Sequence, residues 1–259
     1  MFSYTETKVD LRYGGKMLDE ERQRLNDESW GLVVKSNDLI QKTHYQLSVN
    51  EQKIVIYLIS KIMIDDTNLN EVDMSIKDFC LLTNTTPKGE NYDKVRDSVR
   101  KLRDRSWWIK LDDNTEMLYS WIDYAVIKKN TGNIKICLSQ SLTPFLTSLK
   151  SRYTKYHLRE ILKLKKSYSI RIFEWCQSYL YKGEATITID AFRAMLELGS
   201  KYVDYRDLRT KIIEPSIKEI NEQTFLHVEY EPIKNGKKVE KIKFKINEAM
   251  GYQLSLLDE

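Results

Sequence analysis

A predicted helix in the second half of the chain carries four polar side chains on its outer face or flanks. They are Arg206, Arg209, Thr210 and Lys211. A guanidinium presents parallel N–H donors that match the acceptor edge of guanine, and a lysine ammonium suits a phosphate. The types and spacing of these side chains therefore predict contacts with DNA bases and phosphates. For Arg209 the alternative is an ion pair with a nearby carboxylate, Asp207 or Glu214.

The elements around this helix have the order of a helix-turn-helix. Ile187 and Ile189 alternate with polar residues, as in a half-buried strand, and Asp190 is expected to cap a short helix. Gly199 is expected to stop that helix. The next helix buries Leu208 and turns its basic residues outward. In this motif the second helix enters the major groove.

The same pattern occurs 113 residues earlier without a gap. The matched residues are Met74, Ile76, Phe79, Tyr92, Val95 and Arg96 in the first copy, and Ile187, Ile189, Phe192, Tyr205, Leu208 and Arg209 in the second. Each copy has an apolar strand, a short helix with Phe at the same place, and a helix that opens with Tyr. A period this long indicates duplicated domains and excludes a solenoid.

The corresponding helix of the first copy is also basic. Its cations are Lys94, Arg96, Arg100, Lys101 and Arg103. Asp93, Asp97 and Asp104 lie between them and would repel phosphate, so solvated ion pairs explain this face as well as DNA contacts do.

Predicted strands follow both helices, as in a winged helix. In the first copy they cover residues 107–111, 117–127 and 133–138, and in the second copy residues 225–232 and 239–246. Asn235-Gly236 predicts a type I′ hairpin turn between the last two. Lys237, Lys238 and Lys241 place positive charge on this wing, although lysines also protect exposed strand edges from aggregation. Pro215 should kink the second helix or start a new one.

Composition limits the remaining functions. The 259 residues suffice for two domains, and residues 150–245 carry 21 Lys and Arg against 13 Asp and Glu, while residues 1–149 carry 21 against 22. This asymmetry favours a phosphate-binding face in the second half. No phosphate loop, dinucleotide fingerprint or metal-ligand spacing is present, so we expect no enzyme activity, cofactor or metal. A secretory signal and a membrane span are also missing, which makes the cytoplasm the default.

The expected fold class is α+β, with two tandem winged-helix domains related by internal duplication. A polar N-terminal arm is expected over residues 1–30. The first domain should cover residues 31–150, for dimerisation and DNA contact, and the second residues 151–247, as the principal DNA-binding domain. A tail covers residues 248–259.

Two segments give the chain a resemblance to a known family. They are LREILKLKKSYSIRIFEWCQSYL and FRAMLELGSKYVDYRDLRTKIIEPSIKEIN, the second with the unusual Pro215. The chain resembles the iteron-type plasmid replication initiators, the RepA, RepE and π class, from about Leu32 to Asn247.

The resemblance implies a sequence-specific, double-stranded DNA-binding protein that recognises direct repeats in a plasmid origin. It further implies origin melting and recruitment of host replication proteins, among them the host initiator and helicase. Self-association is implied too, since monomers of this family initiate while dimers tend to repress their own promoter, at an inverted repeat, or couple origins.

The C-terminal sequence QLSLL is similar to the QLSLF-type peptide by which bacterial proteins dock on the sliding clamp. Gln253 would be the polar anchor, and Leu254, Leu256 and Leu257 the apolar ones. The final Leu in place of Phe should weaken binding, and an ordinary frayed terminus is the alternative.

Two other functions fit the same residues. One is a winged-helix transcriptional regulator without a replication role, and the other is a protein interaction module. DNA binding with a steep salt dependence would exclude the module. If the protein supports replication of a plasmid that lacks any other initiator, it is a replication initiator and not only a transcriptional regulator.

Overall fold

The computed structural model describes residues 19–63, 65–110, 114–127 and 131–249. The α-helices are α1 Asp19–Ser29, α2 Asn37–Gln41, α3 Val49–Ile59, α4 Ile76–Leu82, α5 Glu90–Asp104, α6 Thr143–Leu146, α7 Leu158–Leu162, α8 Ser167–Gln177, α9 Ile189–Met195, α10 Tyr205–Leu208 and α11 Glu214–Gln223. Short 3₁₀ helices cover Gln140–Leu142 and Leu180–Lys182. Among the described residues, every helix is too short or too polar to cross a membrane.

Ten strands form four antiparallel sheets in the described part of the chain. They are β1 Leu32–Ser36, β2 Glu71–Ser75, β3 Ser106–Lys110, β4 Glu116–Ser120, β5 Ile122–Ile127, β6 Asn133–Leu138, β7 Tyr153–His157, β8 Glu184–Thr188, β9 Leu226–Asn235 and β10 Lys238–Glu248. The sheet orders are β1-β7, β2-β6-β5, β3-β4 and β8-β10-β9.

The duplication is confirmed at the level of element boundaries. β2 and β8 begin and end 113 residues apart, and so do α4 and α9. Ser75 caps α4 by accepting the Asp78 N–H at 3.2 Å, and Thr188 caps α9 by accepting the Ala191 N–H at 3.1 Å. The predicted cap at Asp190 is therefore wrong by two residues, because the strand ends and the helix begins at Thr188.

Both copies also have the same three-stranded sheet. In each, the strand that leads into the helix-turn-helix pairs with the last strand of the wing, which pairs in turn with the first. Met74 lies opposite Ile134 in one sheet, and Ile187 lies opposite Ile242 in the other. In each copy the helix-turn-helix lies between the leading strand and the strands of the wing. This arrangement is a winged helix, and the described residues contain two of them.

The first domain has an additional hairpin. Trp121 is buried and interrupts the strand that we predict over residues 117–127, so β4 pairs with β3 while β5 joins the wing sheet. The rings of Trp107 and Tyr119 stack at 5.0 Å between centroids, and the Trp107 ring also lies 5.2 Å from that of Trp121. The aromatic side chains thus anchor the hairpin to the core.

Part of the expected N-terminal arm is a packed helix. In α1, Leu25 is buried, and Arg24 forms an ion pair with Asp78 at 3.0 Å. Glu28 accepts a hydrogen bond from the Tyr57 hydroxyl at 2.7 Å. Residues 19–29 of the expected arm are therefore a helix packed on the first domain, while residues 1–18 lie outside the described part.

Helix α8 packs on both halves of the molecule. Phe173 contacts Phe225, and Trp175 contacts Phe244, so the helix packs against the second winged helix. Toward the first half of the chain, Arg171 donates a hydrogen bond to the Thr43 carbonyl oxygen at 3.0 Å.

Two strands pair across the domain boundary that we predict near residue 150. β1 and β7 form a two-stranded sheet in which Val33 lies opposite Tyr156. The first winged helix and the start of the second half therefore share a sheet, and the division at residue 150 stays a prediction.

A buried ionic cluster lies beneath this sheet. Lys35 Nζ contacts Glu174 Oε1 at 2.5 Å, and the Tyr156 hydroxyl donates to the same oxygen. Arg171 lies 3.9 Å from the other carboxylate oxygen of Glu174. Burial lowers the pKa of Lys35, and the carboxylate opposes that shift. One carboxylate therefore compensates two buried cations.

A second buried lysine predicts a pH dependence of stability. Lys53 Nζ donates to the Leu162 carbonyl oxygen at 2.7 Å, and burial lowers the pKa of Lys53 from 10.5 to about 8. Between these two values the unfolded chain binds more protons than the folded chain, so folding becomes more favourable as pH rises. In urea titrations, the stability of the wild type relative to Lys53→Met should increase from pH 8 to pH 10. A difference independent of pH would contradict this.

Candidate nucleic-acid interface

The second recognition helix consists of three segments. α10 is followed by a π-helical turn over Arg209–Ile213 and then by α11. Pro215 lies in the first turn of α11 and has no N–H to donate, which agrees with the prediction that it starts a new helix. In the π turn, the Glu214 N–H bonds to the Arg209 carbonyl oxygen, five residues back. The wider turn separates the carbonyls of the preceding helix from the proline ring.

All four predicted side chains of this helix are exposed. Arg206 has no carboxylate partner among the described residues, so its guanidinium is available for binding. Arg209 Nε lies 3.5 Å from Glu214 Oε1, as the alternative interpretation expects, and Lys211 Nζ lies 3.7 Å from Asp207. Thr210 Oγ1 donates to the Arg206 carbonyl oxygen at 2.9 Å.

Glu214 has a second partner. The Tyr230 hydroxyl of β9 donates to Glu214 at 3.1 Å, and burial together with this carboxylate raises the pKa of Tyr230 to about 12. Because the ion pair between Arg209 and Glu214 is exposed, it contributes little to stability, and Arg209 is able to exchange it for a base or a phosphate at low cost.

The wing is a long hairpin of β9 and β10. Its turn residues are Gly236 and Lys237, with Asn235 opposite Lys238, and only Gly236 has a positive φ, of 60°. The predicted type I′ turn at Asn235-Gly236 is therefore wrong by one residue. A positive φ at the first central residue alone is the type II′ pattern, and glycine supplies it without strain.

The wing lysines fall into two groups. Lys243 pairs with Glu184 at 2.7 Å, and Lys245 pairs with Glu231 at 2.5 Å. The predicted phosphate-binding lysines are exposed, and none has a carboxylate partner within the described residues. They are Lys237, Lys238 and Lys241. The unpaired positive charge therefore lies near the hairpin tip.

The basic helix of the first domain is largely neutralised by its own carboxylates. Lys94 pairs with Glu90 at 2.8 Å, Arg96 lies 3.9 Å from Asp93, and Arg100 pairs with Asp97 at 3.1 Å. Lys101 and Arg103 are exposed and have no such partner in the described part of the chain.

One basic segment beside the second recognition helix was not among the predicted site residues. Lys165 and Lys166 are exposed between α7 and α8, and Lys166 Nζ donates to the Pro215 carbonyl oxygen at 3.2 Å. With Thr210 and Lys218 they line a cleft of about 550 Å³. The signal was present as the run KLKK, but only the fold shows that it lies against the helix.

The described residues do not form a metal site. Within the described ranges, no three His, Cys, Asp or Glu side chains are grouped to hold a metal ion. Cys80, Cys137 and Cys176 are buried free thiols. The segment Gln253–Leu257 lies outside the described residues.

Comparisons with known proteins agree with this architecture. Residues 32–177 match the family model described as "Initiator Replication protein, WH1", and residues 188–246 match "Initiator Rep protein, WH2". An Escherichia coli "Replication initiation protein" is 24% identical over 239 residues, which cover 88% of this chain and 72% of that protein.

A solved structure shares the fold. The Pi initiator protein, crystallised in complex with iteron DNA, matches with a TM-score of 0.72 at 18% identity, over 84% of this chain and 97% of that one. Both winged helices and nearly all the described residues fall within these matches. The chain belongs to the Initiator Replication protein family and carries both of its winged-helix domains.

Proposed function

We propose that this protein initiates plasmid replication by binding direct repeats in the origin through its second winged helix. The observation that carries this proposal is the exposed pair Arg206 and Arg209 at the start of the recognition helix, beside a wing whose terminal lysines have no carboxylate partner in the described part of the chain. The shared fold with an initiator crystallised on iteron DNA supports it. In this arrangement α10 and the π turn enter the major groove, while the wing lies along phosphates.

The first winged helix has a secondary role in this proposal. Three of the five predicted cations of α5 are paired with carboxylates of the same helix, so this face binds phosphate less strongly than the second one. It contacts the adjoining part of the site through Lys101 and Arg103, or it mediates dimerisation. Two related domains imply a two-part footprint spaced by about one helical turn.

Further steps of initiation follow from the family to which the chain belongs. We include in the proposal melting of the adjacent DNA, recruitment of the host initiator and helicase, and repression of the protein's own promoter. Docking of residues 253–257 on the sliding clamp also stays a proposal. In none of these roles does the chain itself catalyse a reaction.

A replication assay tests the initiator role. A plasmid that carries the DNA flanking this gene, but no other initiator, should be maintained only in cells that supply the protein. A variant with Arg206 and Arg209 replaced by alanine serves as the matched control and should not maintain it. Repression of a reporter from the same DNA without plasmid maintenance would instead favour a transcriptional regulator.

The wing predicts a specific salt dependence. Replacing Lys237, Lys238 and Lys241 with alanine should weaken binding to specific and non-specific DNA alike. Each lost phosphate contact reduces the magnitude of the slope of log K against log salt by about 0.9. The slope of the triple variant should therefore be smaller in magnitude by nearly 3. Titrations at several salt concentrations measure this slope.

The paired lysines of the same strand provide a control for the wing. Lys243 and Lys245 already neutralise carboxylates, so replacing both with alanine should change the slope much less. Equal effects of the two sets would contradict the assignment of the hairpin tip to the phosphates.

A further inference from the structure

The turn between α9 and α10 has a defined conformation. α9 ends at Met195, four residues before the glycine that was expected to stop it, and the turn then passes through positive φ at Glu197, Gly199 and Tyr202. Arg193 donates hydrogen bonds to the carbonyl oxygen of Tyr202 and, at 2.7 Å, to that of Gly199. The guanidinium therefore holds two parts of the turn together, and the recognition helix starts from a fixed position.

Val203 is the residue that this turn exposes. Its side chain is 71% exposed, between the partly buried Tyr202 and the helix N-cap Asp204. It is the one exposed large apolar side chain among residues 184–223, all of which the structure describes. A valine exposed to this extent contributes little to the hydrophobic core and is free to contact a bound molecule.

The neighbours of Val203 favour a base edge over the DNA backbone. Arg206 and Arg209 follow it by three and six residues and are both exposed. Asp204 is exposed, and its side chain makes no capping hydrogen bond, so a carboxylate stands beside Val203. A carboxylate is repelled by phosphates but accepts hydrogen bonds from the cytosine amino group. The leading end of the helix thus suits the floor of the major groove.

We propose that Val203 packs against the 5-methyl group of a thymine in the major groove and makes the protein select that base. The inference rests on the proposed function, because it requires the recognition helix to enter the groove. The thymine methyl is the apolar group that the major groove exposes, and small apolar side chains are the ones that contact it. Arg193 acts here as a positioning residue, since it fixes the turn without touching DNA.

Replacement of thymine by deoxyuridine removes this methyl group alone and tests the inference directly. In the footprinted site, each thymine is replaced singly by deoxyuridine, and affinity is measured for the wild type and for Val203→Ala. At one position the wild type should bind three- to tenfold more weakly. Val203→Ala should show the same loss on unmodified DNA and no further loss when that position is substituted.

A valine elsewhere provides the control. Val126 in β5 is also exposed, and Val126→Ala should keep the wild-type response to every substitution. If the loss caused by Val203→Ala is the same whether or not any single methyl is present, or if Val203→Ala loses no affinity, the inference is overturned while the proposed function stands. If the wild type binds no specific site, both are overturned.

Discussion

Replacing Arg206 and Arg209 with alanine should reduce affinity for the specific site by roughly 10²- to 10⁴-fold, because each bidentate contact to guanine is worth about 1–3 kcal/mol. Neither side chain supports the core: both are exposed, and the only ion pair that the described residues show for them is the one between Arg209 and Glu214. The thermal unfolding of the double variant should therefore match that of the wild type. Binding titrations and circular dichroism measure the two quantities.

Substitution with lysine separates base recognition from charge. Arg206→Lys with Arg209→Lys keeps both positive charges but loses the planar fork of donors. This variant should bind non-specific DNA as the wild type does and lose most of its preference for the specific site. If it keeps the full preference, Arg206 and Arg209 contact phosphates, and the bases are read by other residues.

Replacing Glu174 with alanine should destabilise the folded protein by about 3–5 kcal/mol, because it leaves Lys35 and Arg171 buried without their shared carboxylate. The side chains of Lys35 and Glu174 are 3% and 1% exposed. The cluster joins β1 and β7 to α8, so the substitution should lower the stability of both halves of the molecule. Urea unfolding followed by tryptophan fluorescence measures it.

An exposed ion pair of equal length is the control for this prediction. Lys245 and Glu231 are also 2.5 Å apart, but their side chains are 44% and 56% exposed. Exposed pairs are screened by solvent and contribute little to stability, so Glu231→Ala should be nearly neutral. Similar effects of the two substitutions would mean that the buried cluster relaxes or admits water when its carboxylate is removed.

The duplicated winged helix was predictable because its signals are local. The apolar residues of β2 and β8 and the short helices after them repeat without a gap, and β6 has the predicted bounds of residues 133–138. Ser48 and Glu51 form a capping box at the start of α3, a pattern that is readable from four residues. Periodicity and capping act over a few residues, so the sequence alone shows them.

The elements that tie the halves together depend on distant residues. β1 and β7 are separated by more than a hundred residues in the sequence. Each strand is so short that its sequence does not indicate which strand it pairs with. Lys35 and Glu174 would each be assigned to the surface, since charged residues are rarely buried unless paired. Helix α1 is polar, and ion pairs such as that of Arg24 with Asp78 help to attach it. Such pairings become visible only when the chain is folded.

The sequence predicts which residue types form the candidate site, but not which of its cations form ion pairs. The exposed cations of the second recognition helix lie where the periodicity placed them. Only the structure shows that Arg209 and Lys211 have carboxylate neighbours while Arg206 has none among the described residues. The position of Lys165 and Lys166 beside the helix likewise depends on the packing of α8.

DNase footprinting of the purified protein on the DNA that flanks its own gene tests the central claim most directly. At two salt concentrations, we expect protection of several tandem repeats in the same orientation, with weaker protection at higher salt. Protection of a single inverted repeat at the promoter would contradict the initiator function and favour a repressor. A lack of protection at either salt concentration would contradict DNA recognition altogether.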